Sequence, residues 1–230
     1  VFSYEADKTS IFGGIVAANR EIDLETAQML KPIFLEIVMA PSFAPDALEL
    51  LCTKKNLRVL KVDMSKDNTV RKQYVSMNGG MLVQDRDINT KPVSAEQCVT
   101  ESKPTAEQLA DLEFAWKIVK HVKSNAIVVA KNGMTYGVGA GQMNRIGSAE
   151  IALKQAQATL KEEGKDIMTE GLVLASDGFF PFNDCVALAA EYGIKAIVQP
   201  GGSIRDEDSV KLADEKGITM LFTGERHFKH

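Results

Sequence analysis

The feature that most constrains the fold lies in the last third of the chain. Short, wholly apolar runs at 172–175, 194–198 and 218–222 alternate with two helical segments. Asn183 caps the first, which runs to Tyr192 and stops at Gly193; the second runs from Arg205 or Asp206 to Lys216 and stops at Gly217. Each connection is long enough for a right-handed crossover, so the three runs read as parallel, buried strands of one sheet. Ligands of an open parallel sheet bind beyond the carboxyl ends of its strands. Here those ends are 176–182, 199–203 and 223–230, all leaving the sheet on one side.

Upstream, Thr105 and Gln108 form a capping box, and Leu109, Leu112, Ala115, Trp116, Ile118, Val119 and Val122 give a broad helical stripe to about residue 123. Residues 126–130 and 135–138 flank the turn 131–134 as an antiparallel hairpin. Gly137, Gly139 and Gly141 read as a flexible bend before a helix at 148–163. The beginning of the chain also mixes strand and helix. Runs at 15–18, 33–40 and 57–62 are separated by a helix at 24–30 capped by Asp23 and one opened by Pro45-Asp46 and reaching Cys52. A hairpin follows, between about 70 and 87, around Asn78-Gly79-Gly80. The polar, aperiodic stretch 87–104 divides the chain into a first lobe, 1–90, a linker, 91–104, and a second lobe, 105–230.

With 45% apolar residues a sizeable core is available, and 27 Lys+Arg against 31 Asp+Glu leaves a net charge of −4. That balance offers no basic field for nucleic acid or an anionic membrane surface. No apolar run nears the ~20 residues that span a bilayer. Three widely spaced cysteines, Cys52, Cys98 and Cys185, read as buried thiols of a reducing compartment, hence a cytoplasmic protein. The chain starts at Val1, so it is expected to begin inside a longer protein.

Several residues at the strand ends bear on chemistry. Asp177 stands beside Phe179, Phe180 and Phe182, whose rings either line a pocket for a flat aromatic ligand or cap the packing beneath. Gly201, Gly202 and Ser203 precede a helix, where free amides suit an anion or a carbonyl oxygen; an ordinary strand-to-helix turn reads equally well. Arg226 lies in a short basic tail, yet fixed at the sheet edge it would hold a phosphate in bidentate fashion. His227 and His230 lack metal-ligand spacing. The glycine run fails as a dinucleotide fingerprint, because Gln142 occupies the third glycine position; the glycines instead suit a close backbone approach to a ligand or another subunit, while Gln142, Asn144 and Arg145 present polar groups. Ser124-Asn125 is either a helix C-cap or an amide at the same mouth.

Read together, Ser10-Ile11-Phe12-Gly13-Gly14, Gly79-Gly80-Met81-Leu82-Val83-Gln84-Asp85-Arg86-Asp87, Ser124-Asn125-Ala126, the segment 139–146, the segment 176–184, Pro200-Gly201-Gly202-Ser203 and the terminal 226–230 make the chain recognisable. It resembles the carboxyl-terminal part of the AICAR transformylase region in the PurH family of bifunctional purine-synthesis enzymes, over essentially its whole length. The resemblance implies an α/β fold of cytidine-deaminase-like lobes with a mixed sheet, parallel βαβαβ at the carboxyl end, working as a homodimer. It implies formyl transfer from formyl-tetrahydrofolate to AICAR, with ring closure to IMP in a separate cyclohydrolase domain.

Carried over by position, Asn125 lies near the reacting centre, and Arg145 and Ile146 belong to the folate side. The resemblance implies further that Phe179 and Phe182 would line the nucleotide and folate pocket, Asp184 would bond the pterin, Gly201, Gly202 and Ser203 would continue the folate wall, and Arg226 would grip the nucleotide phosphate. The resemblance also implies, as in some members of the family, a potassium ion among backbone carbonyls and Ser124, Asp177 and His230, although Ala126 replaces one serine of the family's Ser-Asn-Ser pattern. The family's lysine-histidine pair precedes this region, and His121 matches no catalytic position. The chain alone is therefore expected to bind without transferring formyl groups; the alternative is a non-catalytic nucleotide- or folate-binding module.

Overall fold

The computed structural model describes residues 2–63, 71–89 and 91–229. The chain divides into two compact units, 1–86 and 87–230.

In the first unit, a short α1 (Phe2–Glu5) precedes β1 (Gly14–Ala17), α2 (Leu24–Leu30), β2 (Leu35–Ala40), α3 (Pro45–Cys52) and β3 (Arg58–Lys61). The three strands form a parallel sheet in the order β1-β2-β3. Asp23 starts α2 by accepting a 2.8 Å bond from the Thr26 amide, and Pro45 starts α3 where its missing N–H costs nothing. Ile22, Ala27, Leu35, Val38, Ala40, Ala47 and Leu51 form this unit's core. β4 (Lys72–Met77) and β5 (Gly80–Asp85) make a separate antiparallel hairpin whose turn uses Gly79 at φ +80°.

The second unit is built on a five-stranded sheet, ordered β10-β9-β8-β6-β7. Its elements are α4 (Ala106–Val119), β6 (Ile127–Lys131), β7 (Met134–Gly139), α5 (Arg145–Glu162), α6 (Ile167–Glu170), β8 (Val173–Ser176), α7 (Asp184–Glu191), β9 (Ala196–Gln199), α8 (Asp206–Lys216) and β10 (Thr219–Phe222). β8, β9 and β10 run parallel, with α7 and α8 as the crossings between them, while β6 is antiparallel to β8 and to β7. One face of the sheet, with Val128, Ala130, Val173, Ala175, Ala196 and Val198, packs on Leu112, Ala115, Trp116 and Val119 of α4. Every residue of β8 and β9 is buried, as a strand covered on both faces requires.

Four expectations are corrected. The stretch 91–104 is not a linker. Val93 is buried in the core of the second unit, Cys98 bridges Leu221, and the Met220 amide donates to Thr100 Oγ1 at 2.9 Å, so the stretch covers the β10 edge. A segment that pairs through its backbone needs no hydrophobic period, which is why its sequence looked unstructured.

The glycine run is not a flexible bend either. Gly137 and Gly139 lie within β7, where a Cβ would stand 1.9 Å from the Ala152 carbonyl and 1.9 Å from the Ser148 carbonyl; they let α5 lie directly on the strand. α4 ends at Val119 and α5 starts at Arg145, three residues before its expected start, because the Asn144 side chain caps the Gly147 amide at 2.8 Å. Of the cysteines only Cys185 is buried, and burial pushes its thiol up to about 12; Cys98 is half-buried and Cys52 is exposed on α3.

Candidate functional site

The strand directions bring five loops to one edge of the second sheet. The carboxyl ends of β7, β8, β9 and β10 and the amino end of β6 all face that edge. Asn125 therefore precedes β6, Gln142 to Arg145 follow β7, Asp177 to Phe182 follow β8, Gly201 to Ser203 follow β9, and the final segment follows β10.

Asp177 is the hub of this edge. Its side chain is fully buried, and its Oδ1 accepts from Arg145 Nη1 at 2.5 Å and from the Ala126 amide at 3.1 Å. Its Oδ2 accepts from Ser124 Oγ at 2.5 Å, and its backbone carbonyl accepts from the His227 amide at 3.0 Å. Arg145 is buried as well. It donates to Ser176 Oγ at 2.9 Å and through Nη2 to Asn125 Oδ1 at 2.9 Å, so one guanidinium spans three loops. Gly178 makes room for it, since a Cβ there would lie 2.4 Å from Arg145 Nη2 and 2.9 Å from the Phe228 ring. Asn125 is held at both ends: Nδ2 donates to the Gln142 carbonyl at 2.8 Å, and its own carbonyl accepts from Ser148 Oγ at 2.8 Å. The Ser124–Asn125 peptide is cis.

Beside this network lies an open cleft of about 340 Å³ lined by Asn125, Met143, Asn144, Arg145, Phe179, Pro181 and Phe228. It unites Asn125, Arg145 and Phe179 of the expected residues. The remaining ones lie elsewhere on the edge. Phe182 is exposed, with the Arg205 guanidinium 5.3 Å above its ring, whereas Phe180 is the phenylalanine that is fully buried. Asp184 is exposed at the start of α7, with Oδ1 accepting from the Cys185 amide at 2.8 Å; Asn183 occupies the cap position without a side-chain bond. Ile146 is half-buried one residue into α5.

The reading of Gly201 to Ser203 as free amides is corrected. The Gly202 amide donates to Asp206 Oδ2 at 2.6 Å and the Gly201 amide to Gln199 Oε1 at 3.3 Å, while Ser203 Oγ accepts from the Arg205 amide at 3.1 Å. A carboxylate of α8 already occupies the position expected to hold an anion, which favours the strand-to-helix turn. Arg226 is exposed, its guanidinium 5.2 Å from the centroid of the Phe228 ring that lines the cleft.

Of the three residues expected at a potassium ion, His230 lies outside the described residues. Ser124 and Asp177 do meet, and both side chains are already engaged with protein groups. Arg145 neutralises the carboxylate, Ser124 Oγ is already engaged with Asp177 and the Lys229 amide, and Ala126 supplies no hydroxyl.

Sequence reasoning missed Ser148, Ser176 and the trio Asp87, Trp116 and His227. The His227 ring is 97% covered, lies tilted against Trp116 with ring centroids 4.5 Å apart and meets the Asp87 carboxylate through Nδ1. Burial raises the Asp87 carboxyl, but the His227 bond and the charges of His227 and Lys120 outweigh it and hold the group below its ordinary value. Partial burial and the neighbouring Lys120 and Lys229 charges push His121 down. Among the described residues no cluster of His, Cys, Asp and Glu suits a metal ion, and no helix is long and apolar enough to cross a membrane.

The AICARFT/IMPCHase bienzyme family matches residues 2–155. The chain is 58% identical over 228 residues to the bifunctional purine biosynthesis protein PurH of Anoxybacillus flavithermus and 57% identical over 230 residues to that of Bacillus cytotoxicus. Each alignment covers 99% of this chain, and the chain spans 43% of the length of either relative. A solved deaminase/reductase of Thermotoga maritima is similar to 49% of the chain at 22% identity and a TM-score of 0.30, too slight a likeness to bear on the fold.

Proposed function

The chain belongs to the AICARFT/IMPCHase bienzyme family, and from that premise we propose that it carries the folate- and nucleotide-binding part of a formyl transfer from formyl-tetrahydrofolate to AICAR in purine biosynthesis. The observation that carries the reading is the single cleft in which loops from three strands bring Asn125, Arg145 and Phe179 together, with Arg226 beside its Phe228 wall.

In this reading Phe179, Pro181 and Phe228 are the apolar faces for a flat heterocycle. Asn125 is polar support: Arg145 and Gln142 fix both ends of its amide, so it enters the reaction already oriented. The Arg145 charge stays paired with Asp177 and acts as scaffold and local field. Arg226 is the exposed guanidinium free to turn toward a phosphate. Phe182, Asp184 and the 201–203 turn lie on the same edge and extend the folate wall, Ser203 through its side chain. Removing the amine proton and protonating the departing folate nitrogen need an acid–base pair that the cleft residues do not supply. That pair belongs to the longer protein, which in this reading is a cytoplasmic homodimer.

The test is a formyl-transfer assay on the full-length protein, following tetrahydrofolate release, beside the 230-residue chain. Turnover by the full-length protein, a loss of about 10²-fold with Asn125→Ala, and none by the chain alone are expected. Full activity of Asn125→Ala, or equal turnover by the chain alone, overturns the assignment.

A further inference from the structure

We infer that His227 is a positioning residue, the pin that aims Arg226 at the cleft; the inference rests on the phosphate-binding reading of Arg226 given above. Among the described residues beyond Phe222 there is no helix or strand, and a segment without regular structure is held only by the bonds that tie it down. It is tied at several points. The Gly224 amide donates to the Pro200 carbonyl at 2.9 Å and the His227 amide to the Asp177 carbonyl at 3.0 Å. The Lys229 amide donates to Ser124 Oγ at 3.0 Å, while the Ser124 amide returns a 2.8 Å bond to the Lys229 carbonyl.

The amides of 227 and 229 thus both face the body of the unit, the pattern of an extended strand. In such a segment successive side chains point to opposite sides. Burying the 227 ring on Trp116 and Asp87 therefore sends 226 and 228 together to the other side. That is where Phe228 lines the cleft and Arg226 stands over its ring at 5.2 Å. A slip of one residue would bury Arg226 and expose His227. The backbone bonds alone do not forbid such a slip, because any residue supplies an amide. The side chain at 227 does, because the Trp116 ring packed against it and the Asp87 carboxylate together favour a ring with a donor nitrogen. The pin's two partners come from distant parts of the unit: Asp87 from its first residue and Trp116 from α4.

The experiment uses the full-length protein and its single and double variants at 226 and 227, with AICAR and folate affinities measured by titration and hydrogen exchange followed over 224–229. His227→Ala is expected to weaken AICAR about tenfold, as contacting residues couple, while leaving folate within about twofold and speeding exchange of the segment. His227→Asn, whose amide nitrogen reproduces the donor but not the ring contact with Trp116, is expected to recover part of the affinity. In an Arg226→Ala background, His227→Ala is expected to add nothing to the AICAR loss.

Additive losses in the double variant, equal loss of folate, or a lower melting temperature with unchanged AICAR affinity would overturn the positioning role. If Arg226→Ala alone weakens AICAR and His227→Ala does not, the pin falls and the phosphate reading stands. If Arg226→Ala has no effect, the phosphate reading falls, and the inference that rests on it falls too.

Discussion

Replacing Asp177 by Asn keeps the shape of the hub, removes its charge and turns the oxygen that accepts from Ser124 Oγ into an NH2 donor. Asn Oδ1 still accepts from the Ala126 amide, and Arg145 keeps Ser176 Oγ and Asn125 Oδ1 as neutral acceptors. Besides the Ser124 bond, what is lost is the counter-charge to a guanidinium whose side chain is 7% exposed. Removing one partner of a buried pair costs about 3–5 kcal/mol, because the other charge is left uncompensated, whereas the intact pair itself adds little net stability. Asp177→Asn combined with Arg145→Met should be less destabilised than Asp177→Asn alone, with a coupling of about 2–3 kcal/mol.

Urea unfolding followed by the fluorescence of Trp116, the chain's one tryptophan and part of the same unit's core, reads the effect. With a slope of about 2 kcal/mol/M the single variant should lower the midpoint by about 1.5–2.5 M. A shift below about 0.5 M, or a double variant whose losses simply add, would show that the pair is screened by water and that Asp177 is no hub.

Two further outcomes follow from local geometry. Gly139→Ala places a Cβ 1.9 Å from the Ser148 carbonyl, a backbone clash that only a shift of α5 relieves, so a loss at or above the top of the usual ~1–3 kcal/mol for overpacking is expected; Gly80→Ala, with no atom within 4 Å, should stay within about 0.5 kcal/mol, and equal effects at the two sites would refute the close approach of helix and strand. His121 is held below its unfolded value of 6.5, so the unfolded chain binds more protons as the pH falls past that value: the stability conferred by a neutral His121 is complete above about 6.5 and declines below it, and His121→Gln should flatten this part of a melting-temperature profile, which an unchanged slope would contradict.

The alternation of apolar runs and glycine stops after Leu172 made the strands of the second sheet legible, because buried strands read as uninterrupted apolar stretches and Gly193 and Gly217 take the left-handed backbone that ends their helices. From strand direction alone the edge bearing Asn125, Arg145, Asp177 and Phe179 follows. Which ring of the 179–182 segment is buried does not follow, for a loop has no period; Phe180 went inward and Phe182 outward. Nor was the fate of the Gly202 amide legible, since a carboxylate four residues on reaches it only through the local turn. Asp87 and His227 meet across 140 residues, and neither carries a neighbouring motif that would announce the other. The stretch 91–104 was unreadable for a related reason: its order comes from β10, not from its own composition.

The central claim, that this edge holds the ligands of a formyl transfer, is tested most directly by titrating the full-length protein and its Arg226→Ala variant separately with AICAR and with formyl-tetrahydrofolate. A charge-assisted bidentate bond to phosphate, worth about 2–3 kcal/mol, predicts that AICAR binds about 30- to 150-fold more weakly to the variant, while folate affinity stays within about twofold. Equal weakening of both ligands, or of neither, would contradict it.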